Sequence, residues 1–235
     1  MSLRDAWQSH AQEWIRWVRT PGHDSYEQYH GRRFLELLPA PGRLTVDLGG
    51  GEGRLGRDLQ RLGHRVVMFD GSVTMVRACA THDDPVPVAV ADAARVPARD
   101  GCADLVVAFM SLQDVDDLEG AVSEAARLVQ SGGCFCLAIV HPLNSAGAFE
   151  GEAGDPDAPF VVRGSYLAGF RYHDEIERHG LTMTFHSAHR PLETYSSAFE
   201  EAGFVIEAMR EVTEPPPAGR WSRIPLFLDI RASRC

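Results

Sequence analysis

Apolar residues recur along this chain in two alternating periods. Trp7, Ala11, Trp14 and Val18 keep helical spacing over residues 3–18, and Thr20-Pro21-Gly22 ends that run. A second helix is predicted from about Ser25 to Leu38, stopped by Pro39-Ala40-Pro41-Gly42. Leu44, Val46 and Leu48 then alternate as a short strand, and Leu55, Leu59 and Leu62, at i, i+4 and i+7, mark an amphipathic helix. The next strand is Arg65 to Phe69, followed by a helix that opens at Gly71-Ser72 with Ser72 as its N-cap. A third strand covers about Val86 to Val90, and a fourth runs from Ala103 to Met110. Leu118, Val122, Ala125 and Val129 stripe a helix from about Asp116, which Ser131-Gly132-Gly133 stops before a strand from Cys134 to Val140. The fourth and fifth strands are nearly unbroken apolar runs, the pattern of central parallel strands covered on both faces.

Regularity fails after residue 141. Residues 142 to about 180 carry nine glycines and prolines among apolar and aromatic residues. A hairpin is expected at the end of this stretch, turning near His179-Gly180. Its second arm should send Leu181, Met183 and Phe185 one way and Thr182, Thr184 and His186 the other. A helix from about Pro191 to Ala202, stopped by Gly203, precedes a strand from Phe204 to Glu211, a Pro215-Pro216-Pro217 link and a last strand from about Ile224 to Arg231. No helix separates the final two strands, so they must be antiparallel, because a parallel crossover needs a dozen residues or more.

Composition narrows the function more than the fold. The 235 residues suit one α/β domain. The net charge is −10 with no basic run, which argues against a nucleic-acid partner. The chain contains no lysine, so Schiff-base, pyridoxal-phosphate and P-loop chemistry are excluded. Five cysteines without C-x-x-C spacing suggest neither a zinc site nor a disulfide framework, and Cys134 and Cys136 read as small hydrophobes on a buried strand. With neither a signal peptide nor a membrane-length apolar run, a cytoplasmic location without a membrane partner is expected.

The chemistry concentrates in Val46-Asp47-Leu48-Gly49-Gly50-Gly51-Glu52-Gly53, a strand ending in glycines spaced two apart before a helix. Glycine accepts positive φ and lets a ligand lie against the backbone. Asp47 beside this turn favours a ligand bearing an amino group or hydroxyls. Gly51-Glu52-Gly53-Arg54-Leu55-Gly56 also fits the G-x-G-x-x-G of a dinucleotide fold, weak evidence when it stands alone. Asp70, at the tip of the second strand, suits ribose in either fold. Asp92, after the third strand, has no counterpart in a dinucleotide fold, and such a fold would normally add a second domain.

Taken with Val67-Met68-Phe69-Asp70-Gly71-Ser72, Asp92-Ala93 and Leu128-Val129-Gln130-Ser131-Gly132-Gly133-Cys134-Phe135, this sequence resembles a class I S-adenosylmethionine-dependent methyltransferase of the small-molecule type, with motifs in order from about residue 44 to 140. The resemblance implies an α/β, Rossmann-like seven-stranded sheet, mostly parallel with an antiparallel final strand, helices on both faces and a cap inserted after the fifth strand. It divides the domain into an N-terminal helical lid (1–40), a cofactor half (41–141), a substrate cap (142–188) and a final helix with strands (189–235). Tyr26, Tyr29, His30 and Arg33 of the lid are candidates to face the ligand, although core packing explains its tryptophans more simply.

By the same resemblance, Gly49, Gly51 and Gly53 should line the methionine and ribose of S-adenosylmethionine with Asp47 nearby. Asp70, with Gly71 and Ser72, should hold the ribose, Met75 should pack near the adenine, and Asp92 and Ala93 should meet the adenine edge. Phe109 and Met110 should pass under the methionyl group with Gln113 close by. Phe109-Met110-Ser111-Leu112 departs from the Asn/Asp-Pro-Pro-Tyr/Phe of exocyclic-amine and protein-glutamine methylases, which disfavours those substrates. His141, His186 and His189 are the candidate bases, each with a structural role as its alternative. His186-x-x-His189 lacks a carboxylate partner, so no metal is expected. Arg163, Arg171 and Arg190 are candidates to meet an anionic substrate, with solvated surface positions as the default. The expected reaction is methylation of an oxygen or nitrogen of a small molecule, yielding S-adenosylhomocysteine. The alternatives are methylation of a protein side chain and a non-catalytic cofactor-binding module.

Overall fold

A computed structural model describes residues 1–152, 154–215 and 219–235. Pro216 and Pro217 of the expected link lie outside the described residues. α1 (Leu3–Arg19) starts on Ser2, whose hydroxyl accepts from the Asp5 N–H. The expected second helix is instead a single π-helical turn, Tyr26–His30, running into a short α2 (Gly31–Leu35).

The cofactor half follows as β1 (Thr45–Leu48), α3 (Arg54–Arg61), β2 (Val66–Asp70), α4 (Val73–Ala80), β3 (Val88–Val90), β4 (Ala103–Phe109), α5 (Leu118–Leu128) and β5 (Val129–Val140). Ser72 caps α4, as its position in the sequence implies. β5 begins five residues before the expected Cys134, because the chain from Val129 onward is already extended rather than coiled.

The insertion comprises α6 (Pro142–Ala146), a short hairpin of β6 (Gly147–Phe149) and β7 (Phe160–Val162), and a longer one of β8 (Phe170–Arg178) and β9 (Leu181–His189) turning at His179-Gly180. α7 (Leu192–Glu201) follows with Pro191 at its N-cap, one residue earlier than the expected N1 position, and Gly203 past its end at φ +77. β10 (Phe204–Val212) and β11 (Phe227–Arg234) complete the chain.

The main sheet has the order β10-β11-β5-β4-β1-β2-β3. β1 to β5 pair in parallel, while β11 lies between β5 and β10 and is antiparallel to both. Alternation along β4 divides the core. Val106 and Ala108 join the layer of α5 and α7, where Tyr195 and Phe199 are fully buried, whereas Leu105 and Val107 join the layer of Leu55, Leu59 and Phe34. Cys134 and Cys136 are buried free thiols in that second layer, pushed up from the ordinary thiol range by burial. Among the described residues, no helix is long and apolar enough to cross a membrane.

Candidate active site

β1, β2 and β4 end along one edge of the sheet, and the loops leaving them surround a cleft of about 1200 Å³, part of it open to solvent. The glycine turn after β1 requires its glycines. Gly49 and Gly51 have φ of +72 and +61, and a Cβ on Gly49 would lie 2.5 Å from the Ser111 Cβ. Asp47, Gly49, Gly51, Asp70, Gly71, Ser72, Met75, Asp92, Ala93, Phe109 and Met110 all line this cleft. Two expected residues do not. Gly53, at φ +94, is the N-cap of α3, and a Cβ there would strike the Cys79 Sγ at 2.6 Å. The buried Gln113 turns back to donate to the Met110 carbonyl.

The carboxylates divide by their partners. Asp70 accepts from the Gly51 and Ser72 N–H groups at 2.9 and 2.7 Å, yet burial still raises its pKa. Asp47 is 1% exposed, and neither of its oxygens has a hydrogen-bond partner. Burial, and then the charge of Asp70, push its carboxyl up to about 7. A buried orphan acceptor is costly and calls for a donor from a ligand. Glu52, Asp92, Asp114, Asp116 and Asp117 add to an acidic wall whose cations are Arg4 and Arg54. Both the unpartnered Asp47 and the acidity suit a cationic ligand with an amino group, as S-adenosylmethionine is, so the residues present fit this cofactor. Met110 adopts φ +54 at the end of β4, a conformation a side chain rarely takes and one that clusters at functional sites.

α1 roofs the cleft. Arg4, Trp7 and Trp14 line it, and the Trp14 Nε1 lies 3.6 Å from where a Gly51 Cβ would be. β9 holds this helix through Met183, which packs on Trp17 and Val18, and through the Trp7 indole N–H, which donates to the His186 carbonyl at 2.8 Å. The lid residues singled out from sequence lie elsewhere. Tyr26 is buried, with its hydroxyl on Asp58, His30 is buried against Asp229, Arg33 is exposed, and Tyr29 does not line the cleft. Helical spacing marked α1 as amphipathic but carried no sign of which end would reach the cleft.

The three histidines expected as bases also fall outside the cleft wall. His141 caps α6 by accepting from the Leu143 N–H and faces Glu211 at 3.2 Å; burial lowers its pKa against the pull of that carboxylate. His189 is 1% exposed, bonded to the Ser145 hydroxyl and the Tyr166 carbonyl and stacked on Phe170. The ring of His186 meets His10 of α1 at 3.1 Å. Each has a place in the fold, and none reaches the cleft. The arginines are likewise engaged: Arg163 with Glu150, Arg171 with Asp116, and Arg190 with the Leu112 and Val115 carbonyls. Asp114, which the sequence reading passed over, does line the cleft.

Residues 46–137 match the family described as "Methyltransferase domain". This segment is a methyltransferase domain, and the fold around it is that of S-adenosylmethionine-dependent methyltransferases. It is 29% identical over 205 residues to a ubiquinone biosynthesis O-methyltransferase of Methylobacterium sp. (strain 4-46), spanning 85% of this chain and 74% of that protein. It is 34% identical over 115 residues to a ubiquinone/menaquinone biosynthesis C-methyltransferase of Acidiphilium cryptum, spanning 45% of this chain and 46% of that one. The chain thus spans about half the length of several curated relatives it matches. An S-adenosylmethionine-dependent methyltransferase from Mesorhizobium loti has the same fold at a TM-score of 0.68, with 24% identity over 86% of this chain and 96% of that one. The domain is an enzyme domain with S-adenosylmethionine as its methyl donor.

Proposed function

We infer that this methyltransferase acts on a small molecule held between the glycine turn and the roof formed by α1, and that it methylates an oxygen or nitrogen. The observation that carries this reading is the roof itself. Trp7 and Trp14 present flat apolar surface over the cleft while Asp114 and Ser111 offer polar contacts at its floor, the mix of an organic ligand site. A protein side chain would require an open approach, which α1, pinned by β9, obstructs. Oxygen is favoured over carbon because the relative named for O-methylation aligns over 85% of the chain, whereas the relative named for C-methylation aligns over 45%.

The donor arrives with its methyl group already activated on a sulfonium. The chain therefore supplies position, exclusion of water and a proton acceptor where the acceptor needs one. Asp47 and Asp70 orient the donor from the sheet side, and Met110 and Phe109 shape the wall behind it. The test is calorimetry with S-adenosylhomocysteine, expected to bind at roughly micromolar affinity, followed by transfer from labelled S-adenosylmethionine to hydroxylated aromatics and aromatic amines. Binding of NAD in its place would overturn the cofactor assignment, and transfer to proteins alone would overturn the small-molecule reading.

A further inference from the structure

Nearly every charged group on the cleft wall is already engaged. Arg4 faces Asp92 at 3.8 Å and Arg54 pairs with Asp24. Glu52 is gripped by Arg19 and Arg57. Asp116 accepts from the Leu3 N–H at 3.0 Å and from Arg171 at 2.7 Å, and Asp117 caps α5. Asp70 accepts two backbone N–H groups, and the exception, Asp47, has no hydrogen-bond partner but sits beneath the glycine turn, where a Cβ on Gly50 would come within 2.7 Å of its Oδ2.

Asp114 differs from these in its position, on the side of the cleft that the insertion covers. It leaves the end of β4 on the side of the insertion, and its Oδ1 accepts the Ser187 hydroxyl of β9 at 2.7 Å. Its Oδ2 takes only the Gln113 amide, at 3.3 Å. Arg190, the guanidinium whose charge it feels, directs its own donors to two backbone carbonyls. Tyr172 of β8 and Tyr195 of α7 also face this carboxylate, and burial holds both phenols protonated and uncharged near neutrality. Among the described residues no histidine, cysteine or tyrosine lines the cleft, and the chain has no lysine.

We propose that Asp114 is a catalytic residue that takes the proton of the methyl acceptor, and that the acceptor is a hydroxyl, phenolic or enolic, on a small flat molecule. This rests on the small-molecule methyl-transfer reading above. In the step, the acceptor oxygen forms its bond to the methyl carbon as that carbon's bond to sulfur breaks. The bonding pair stays on sulfur, and the hydroxyl proton passes to an Asp114 oxygen and from there to solvent. Ser187 fixes the carboxylate, so the insertion that covers the acceptor also aims its base.

Burial pushes the Asp114 carboxyl well above the ordinary carboxylate range, against the hydrogen bonds from Ser187 and Gln113 and the charge of Arg190. A base must be ionised to act, so the rate rises with pH through this raised value, whereas a site that works by proximity alone shows only the limb of the acceptor's own ionisation.

The probe is 4-nitrocatechol, whose absorbance reports whether its hydroxyl is ionised, added to the full chain saturated with S-adenosylhomocysteine. The probe is expected to bind, with Asp114→Asn weakening it roughly tenfold while S-adenosylhomocysteine affinity is unchanged. With S-adenosylmethionine, Asp114→Asn should lower kcat on the same probe roughly 10²–10⁴-fold, raise KM about tenfold in step with the weaker binding and leave only the pH limb of the probe's own ionisation, and Asp114→Glu should restore part of the rate. If the asparagine variant does not fold, Ser187→Ala serves instead: loss of the hydroxyl should move the limb to higher pH, and an unmoved limb overturns the proposal. So do probe binding and a pH profile unchanged in Asp114→Asn, no probe binding to the saturated protein, or a probe bound without transfer in the wild type. Failure of S-adenosylhomocysteine itself to bind overturns the methyl-transfer reading beneath it.

Discussion

The cofactor half and the lid with its insertion are built on opposite terms. In the first, the ligand-facing groups sit at strand ends or helix starts, and partners within about 20 residues hold them: Asp70 is fixed by Ser72 and Gly51, Asp117 by Gly120, and the turn at Gly49 by the backbone at Phe69. In the second, every contact that matters spans the chain. Trp7 bonds to His186, Leu3 to Asp116, His23 to Arg178, and Ser187 to Asp114. A site held locally is specified by motif, whereas one held across 70 to 180 residues is specified by packing and can open without disturbing the sheet.

That contrast predicts where substitutions will be felt. The largest effect is expected at Met183, fully buried between β9 and α1. Met183→Ala should remove roughly 2–5 kcal/mol of packing and expose α1 and β9 to hydrogen exchange while β1, β4 and β5 keep their protection. Uniform loss across the protein would mean that lid and sheet unfold as one unit.

Next in size is the pH dependence of the ligand-free protein. Asp47 keeps its proton in the fold up to about 7, whereas the unfolded chain loses it near the ordinary value of 3.8. Between these limits the native state binds more protons, so stability falls as pH rises and the cost is complete above about 7, on the order of a few kcal/mol. Asp47→Asn should flatten that slope in melting temperature and weaken cofactor binding. An identical slope in the variant would remove Asp47 from the account.

Asp70→Ala deletes a charged acceptor and frees the Gly51 and Ser72 N–H groups, so cofactor binding should weaken by roughly 1.5–3 kcal/mol in calorimetry with little change in the lid's hydrogen exchange. The smallest expected effect belongs to the histidines. His189→Ala leaves the Ser145 hydroxyl and Tyr166 carbonyl without their ring partner and should cost roughly 1–3 kcal/mol of stability, with His141→Ala milder. Turnover per folded molecule should stay near wild type, and a specific rate loss in either would return that ring to the chemistry.

Much of the fold could be read from the sequence because its signals are local. Alternation at Leu44, Val46 and Leu48, the glycines at 49 and 51, and the acids at 70 and 92 each report a strand or its end from within a few residues, and the structure gathers the glycines and acids on one cleft. The hairpin turn at His179-Gly180 and the inward set of Leu181, Met183 and Phe185 were legible for the same reason. The first strand residue of β5 and the π turn at Tyr26–His30 were not, since both depend on what the segment packs against.

The candidate base marks the limit. Histidine at a strand end and beside the insertion is a sound choice by intrinsic pKa, yet His141 and His189 are consumed by a helix cap and a serine–carbonyl pair. Asp114, an ordinary aspartate by sequence, becomes the available base only when β9 lays Ser187 on it and the fold half-buries it against the cleft. The sequence by itself determined the sheet, the glycine turn and the row of acids, because strand period, positive φ and capping act over a few residues. Which tryptophans roof the cleft and which acid meets the acceptor were decided only by the tertiary structure, because burial and long-range hydrogen bonds exist only once the segments have met.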